Sequence, residues 1–281
     1  SEFPTTEGAY SRVLNRPPGR FPNSDGFVAR LSTDLVTLEA STFLGGAGND
    51  SLRALDVFGS DTVYVGGQTR SANFPATPGA YSTTLNGGYD AFVGKLNAGL
   101  TALQAATFIG GSGNHDSEQI DAIAVDDEGT VFAAGQTRNT DFPVTPLAFM
   151  TEVTDRSNAF ICRFAGDLTS LLASTYLGGS TGYYEEIRDI VVRRGATRAV
   201  GIYAVGQTEA PDFPTTPDSY MPEYLGGAGQ FDYDPTDAFI SYLSADLSTL
   251  TASTFLGGYA ASDVADAVAI IGGVVIGGGW A

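Results

Sequence analysis

Cysteine and histidine each occur once in the 281 residues, as Cys162 and His115. A single cysteine excludes an intrachain disulfide, and it leaves the compartment open because many bacterial secreted proteins lack disulfides. A single histidine excludes a histidine-dominated zinc site. A Ser-His-Asp triad would have to use His115, and no G-x-S-x-G elbow accompanies it. The nearest match, GGSGN at 110–114, ends wrongly for an elbow. Cations are scarce: 14 Lys and Arg stand against 32 Asp and Glu, giving a net charge of −18. Such a surface repels polyanions, which argues against nucleic-acid binding. It suits solubility, cation binding or a basic partner. Long helices are disfavoured, because 36 glycines and 13 prolines punctuate the chain. No signal-peptide pattern opens the sequence, as would hold for a mature fragment. Only Val264–Ala281 is apolar over enough residues to prompt a membrane reading, and it carries Asp266 and five glycines.

What is abundant is repetition. STFLGG at 41–46 returns as ATFIGG at 106–111, STYLGG at 174–179 and STFLGG at 253–258. DGFVARL at 25–31 returns as DAFVGKL at 90–96, NAFICRF at 158–164 and DAFISYL at 237–243. GGQTRSANFPATPGAY at 66–81 returns as AGQTRNTDFPVTPLAF at 134–149 and VGQTEAPDFPTTPDSY at 205–220. The fourth copy of that phrase is split, with GGWA ending the chain and SEFPTTEGAY beginning it. Val264–Ala281 aligns with DAIAVDDEGTVFAAGQT at 121–137, so it reads as repeat and not as a membrane span.

The period is 65 to 79 residues, which gives four units. Each unit reads as four short strands from its alternation and its β-branched and aromatic content. In the second unit they are expected near Leu52–Phe58, Thr62–Gly67, Ala91–Leu96 and Ala102–Ile109. Four-stranded units repeated in a ring are propeller blades. The expectation is an all-β chain and a single domain over 1–281: a four-bladed β-propeller with blades at about 50–111, 117–179, 186–258, and 264–281 joined with 1–46. Pairing of N- and C-terminal strands would close the ring and protect its edges.

The phrases STFLGG, DAFV and GQT…DFPTTPGAY resemble the bacterial β-propeller repeats called SBBP repeats, over nearly the whole chain. The resemblance implies a secreted or cell-surface bacterial protein, extracellular or alternatively periplasmic, and says little about function. The family name supposes seven blades, whereas four units are counted here.

In such blades the FP-containing loops and the GG-containing links emerge on one face, and only tight turns on the other. Function tends to sit on long loops held by a rigid scaffold. The long-loop face is therefore expected to take a protein or glycan partner. Its departures from the internal consensus are His115, Tyr183 and Tyr184, with Trp280 where the other units have glutamine. Trp280 reads first as a closure residue and second as a sugar platform.

GGAGNDSL at 45–52 looks like a calcium β-roll turn, but β-roll turns stack about nine residues apart. The copies here are a whole unit apart, so it reads as a link between blades, with glycine supplying φ > 0. Calcium remains an alternative at Asp232, Asp234 and Asp237, where alternating carboxylates in a glycine-rich loop offer hard oxygen ligands. Asp237 also shares a repeat position with Asp25, Asp90 and Asn158, which favours a turn-capping role. Phe3, Phe74, Phe142 and Phe213, each before proline, are expected to plug gaps between blades. Cys162 aligns with Ala29, Gly94 and Ser241 at a strand position that wants a small side chain. The favoured role is a non-catalytic extracellular binding or structural module. The alternatives are a calcium-dependent glycan-binding propeller and a carboxylate-based enzyme at the channel mouth.

Overall fold

The computed structural model describes residues 3–15, 23–113, 118–153, 157–181, 184–195, 199–226, 235–259 and 261–281. His115, Tyr183, Asp232 and Asp234 lie outside the described residues. The strands in chain order are β1 (Gly26–Leu31), β2 (Leu38–Leu44), β3 (Asp50–Phe58), β4 (Thr62–Thr69), β5 (Asp90–Asn97), β6 (Leu103–Ile109), β7 (Gln119–Val125) and β8 (Val131–Thr137). They continue as β9 (Asn158–Phe164), β10 (Leu171–Leu177), β11 (Glu185–Arg194), β12 (Ala199–Thr208), β13 (Asp237–Ser244), β14 (Leu250–Leu256), β15 (Val264–Ile271) and β16 (Val274–Trp280). No helix occurs among the described residues, and none there is long and apolar enough to cross a membrane. Val264–Ala281 forms the hairpin β15–β16.

β3–β6, β7–β10 and β11–β14 are three antiparallel four-stranded sheets in simple meander order. Their register repeats: Thr69 faces Asp90, Thr137 faces Asn158, and Thr208 faces Asp237. The first strand of each unit bulges at one repeat position, occupied by Arg53, Asp121, Arg188 and Asp266.

The core lies between successive sheets. Val28, Ala40 and Leu44 pack with Val65, Phe74, Phe92 and Phe108, and two further clusters join the second to the third sheet and the third to the fourth. Three of the four FP phenylalanines plug these layers buried, as expected. Phe74 lies 4.3 Å from Phe92, Phe142 4.3 Å from Phe160, and Phe213 4.4 Å from Phe239, centroid to centroid. Cys162 is wholly buried and touches Ser174 Oγ at 3.3 Å, and burial pushes its thiol up to about 12.

The expected ring closure is not made. β16 pairs only with β15, and β1 only with β2, as two separate two-stranded sheets. Ile120 and Ile123 seat over Gly66, and Leu52 over Gly26, which fixes each sheet on its neighbour. β15 packs on β11, β12 and β13. Phe3, unlike its three counterparts, is exposed.

The strap that follows each FP phenylalanine runs along its own outermost strand and then reaches the next sheet. The Thr77 amide donates to Ala106 O at 2.9 Å and the Phe108 amide to Ser82 O at 3.1 Å. The Tyr81 amide then donates to Leu168 O at 2.9 Å. The same stitch joins Tyr10 to Leu100 and Phe149 to Leu247, each at 2.8 Å. These leucines sit in tight turns at positive φ (Leu100 53°, Leu168 59°, Leu247 57°), which is costly for a residue with a branched side chain. Full burial of all three side chains offsets the strain.

Candidate functional site

The GG links and the FP loops share one face, as the sequence suggests, and they are bonded to each other there. The Ala47 amide donates to Asn73 Oδ1 at 2.8 Å, the Ser112 amide to Asp141 Oδ2 at 3.0 Å, and the Ser180 amide to Asp212 Oδ2 at 2.9 Å. Burial works against the charge of Asp212, but hydroxyl and amide donors from Ser180 and Thr181 outweigh it and hold the carboxyl at about 2.

Beneath the links lies a row of buried acids at one repeat position: Asp50, Glu118, Glu185 and Asp263. Each takes the amide hydrogen of the second link glycine. Gly46 donates to Asp50 at 2.7 Å, Gly111 to Glu118 at 2.9 Å, Gly179 to Glu185 at 2.6 Å, and Gly258 to Asp263 at 2.7 Å. Thr69, Thr137 and Thr208 donate their hydroxyls to the first three, and Ser71 adds a bond to Asp50 at 2.7 Å. The GGAGND stretch is thus a link capped by its own aspartate, whose oxygens are occupied by donors of the chain.

A second row faces the first across the leading link glycine. A Cβ on Gly110 would stand 2.6 Å from Glu118 Oε2 and 2.8 Å from Asp90 Oδ1, and one on Gly257 would stand 2.4 Å from Asp237 Oδ1 and 2.8 Å from Asp263 Oδ2. Only glycine lets the two acids approach so closely. Burial raises Asp50 and Asp90, lifts Glu118 to about 7, and lifts Glu185 to about 8. Asp237 is raised by burial and, further, by Asp263.

Of the residues singled out for calcium, only Asp237 lies among the described residues. Asp237 accepts the Leu225 amide hydrogen at 2.7 Å, as Asp90 accepts those of Asn86 at 2.9 Å and Gly87 at 3.0 Å. Asp25 accepts from the Asn15 amide at 2.9 Å. These are turn caps. Among the described residues no three His, Cys, Asp or Glu side chains are grouped to hold a metal ion.

Where the first strands of successive sheets meet, the bulge residues form a row of alternating sign. Arg53 Nη1 lies 3.3 Å from Asp121, and Arg188 lies 3.1 Å from Glu186 and 3.6 Å from Asp266. Tyr184 joins this row by donating its hydroxyl to Glu186 at 2.8 Å, and Gln207 donates to the same carboxylate at 3.3 Å. Burial, then the Glu186 charge, pushes the Tyr184 phenol up. Burial, then Glu186, raises Asp121 to about 6 against the pull of Arg53 and Arg188. Bulges re-aim side chains, which is how one strand position presents four charged groups. Shared phrases do not reveal this row, because its residues share a position but not a type.

Two concavities touch the expected face. One, of about 410 Å³, is lined by Met150, Glu152, Val153, Gly179, Asp212 and Pro214. The other, of about 460 Å³, lies beside Trp280 at the end of β16, with Leu256, Asp263 and Gly279. Trp280 therefore stands at an open sheet edge and not at a closed seam. No protein-family model matches the chain, and no curated protein matches it either.

Proposed function

We propose that the four-unit array is built of β-propeller blades, the hairpins β1–β2 and β15–β16 each being half of a blade. We propose further that the chain is a non-catalytic binding or structural module of a bacterial secreted or surface protein. One observation carries this reading. The acids of the long-loop face recur at fixed repeat positions and are occupied by link and strap donors, so they serve the scaffold in every unit. What varies between units is the loop surface. The cleft between Met150 and Pro214 sets apolar side chains beside Glu152 and Asp212, which suits a glycan or a basic segment of a protein.

The test is titration of the chain with soluble oligosaccharides and with a basic peptide, after chelation and again with millimolar calcium. Saturable binding that weakens in Glu152→Lys supports the module. Turnover abolished by a single carboxylate substitution would replace it with the enzyme reading. A calcium-dependent rise in melting temperature, lost in Asp232→Asn with Asp234→Asn, would replace it with the calcium-dependent glycan reading.

A further inference from the structure

The cleft between Met150 and Pro214 lies where two complete four-stranded sheets adjoin, and one strap position accounts for it. Val153 stands where the unit before has Leu85 and the unit after has Tyr224. Leu85 packs into its own core layer, and the Tyr224 ring lies 5.7 Å from Phe255. Valine is the smallest of the three, and beside it a concavity of about 410 Å³ is left open. Ligand sites of roughly 300–1,000 Å³ are common. The walls are fixed. The Met150 amide donates to Thr175 Oγ1 at 2.9 Å, and Met150 O accepts the Tyr176 amide hydrogen at 3.2 Å. Gly179 is held from beneath by Glu185 at 2.6 Å.

The polar groups of the cleft are unequally engaged. The donors at Met150, Gly179 and Ser180 are already given to Thr175, Glu185 and Asp212. Asp212 accepts the amide and hydroxyl hydrogens of both Ser180 and Thr181, which fills the roughly four lone-pair sites of a carboxylate. It therefore contributes fixed negative charge and no further bonding. Glu152 is the opposite case. Its exposed carboxylate has no hydrogen-bond or ion-pair partner among the described residues. The described lining includes no Lys, Arg, His or aromatic side chain. A ligand must then bring donors and positive charge on an apolar stem, and a sugar finds neither an aromatic face nor a free donor at these positions.

We propose that this cleft takes an arginine side chain from an extended segment of a partner protein. The proposal rests on reading the chain as a binding module and names that module's ligand. The methylene stem lies along Met150, Val153 and Pro214, as long cationic side chains cover apolar surface. Met150 adapts to it, because a thioether side chain fills irregular gaps. The guanidinium carries donors only, and its planar fork matches the two open oxygens of Glu152. Its weak hydration suits apolar walls better than an ammonium does. Asp212, fully engaged by its own loop, adds attraction at a distance, and the net charge of −18 draws a basic segment toward the face.

The test uses the 281-residue chain labelled with ¹³C at its methionine methyls. Only Met150 and Met221 then report, and Met221 is the internal control at the same strap position of the next unit. The probe is a blocked Gly-Gly-Arg-Gly-Gly peptide, compared with its lysine form and with its neutral citrulline form. The arginine peptide is expected to shift the Met150 methyl saturably and to leave Met221 in place. The lysine form should bind more weakly. Citrulline in the peptide, or Glu152→Gln in the protein, should each weaken binding by at least about tenfold. Val153→Leu, which gives this strap the side chain of the unit before, should also weaken it by narrowing the cleft. Glu152 is exposed, so its variant is expected to melt with the wild type. An unmoved Met150 methyl, equal binding of the citrulline peptide, or undiminished binding to Glu152→Gln overturns the proposal. An oligosaccharide that moves Met150 where the arginine peptide does not overturns it but keeps the binding module. Turnover abolished by a single carboxylate substitution removes both.

Discussion

Glu185 Oε1 accepts the Gly179 amide hydrogen at 2.6 Å from beneath the link between the third and fourth units. The carboxyl is buried and lifted to about 8 from an ordinary 4.5, and Glu118 is lifted to about 7 in the link before it. A folded pKa above the unfolded one means that the folded state holds the proton more tightly. The associated stability is complete below about pH 4.5 and is lost as pH rises toward 8. Asp212 acts in the opposite sense, since its stability is present above 3.8 and is lost as pH falls through about 2. Urea denaturation is expected to show higher stability at pH 5 than at pH 8, by on the order of a few kcal/mol. Glu185→Gln should flatten that slope, and an unchanged slope in the variant would reassign it elsewhere.

Glycine at the second-strand pinch is expected to be irreplaceable. A Cβ on Gly206 would stand 1.9 Å from Glu186 O, a backbone atom that cannot turn aside. Gly206→Ala should cost at least about 1–3 kcal/mol. Gly258→Ala, with nothing within 4 Å of its Cβ, should melt close to wild type. Equal melting temperatures for the two would defeat the packing account.

The strap phenylalanines should divide by burial. Phe213→Ala empties a buried layer between sheets and is expected to lose about 3–5 kcal/mol. Phe3→Ala, at an exposed site, should lose clearly less in a monomeric sample. Urea denaturation of the two variants side by side checks the difference, and equal losses would defeat the burial account.

Arg188 holds the charge row together through Glu186 and Asp266. Arg188→Gln should destabilise by about 1–3 kcal/mol, because the buried Glu186 keeps only Tyr184 and Gln207. Combining it with Asp266→Asn should cost less than the sum of the two single changes. Strict additivity would show that the row is not coupled.

Asp237→Asn should be tolerated within about 1 kcal/mol, since Asn158 fills the same position in the preceding unit. A much larger loss, measured by thermal melting with calcium present, would restore a ligand role to Asp237.

The strands and units were legible because period-two alternation and shared phrases both survive in the sequence; β3, predicted from Leu52, begins at Asp50. The turn-capping role of Asp237 was legible from Asn158 at its repeat position. The pairing of the terminal hairpins was not legible, since shared phrases report local strands and turns and not which strand edges meet. The buried acid row was hidden because Asp50, Glu118, Glu185 and Asp263 follow their links at unequal spacings. Arg53 and Asp121 were hidden for the opposite reason: their spacing is regular but their charges are reversed.

The strap stitch also gives the molecule a direction in time. Tyr81 must wait for Leu168, and Phe149 for Leu247, so each unit is locked by a turn that lies in the next one. On a ribosome delivering roughly 5–20 residues per second, a newly emerged unit holds an undocked strap until its successor has been made. Maturation then runs from the N-terminus like a zip, each tooth set by the tooth behind it.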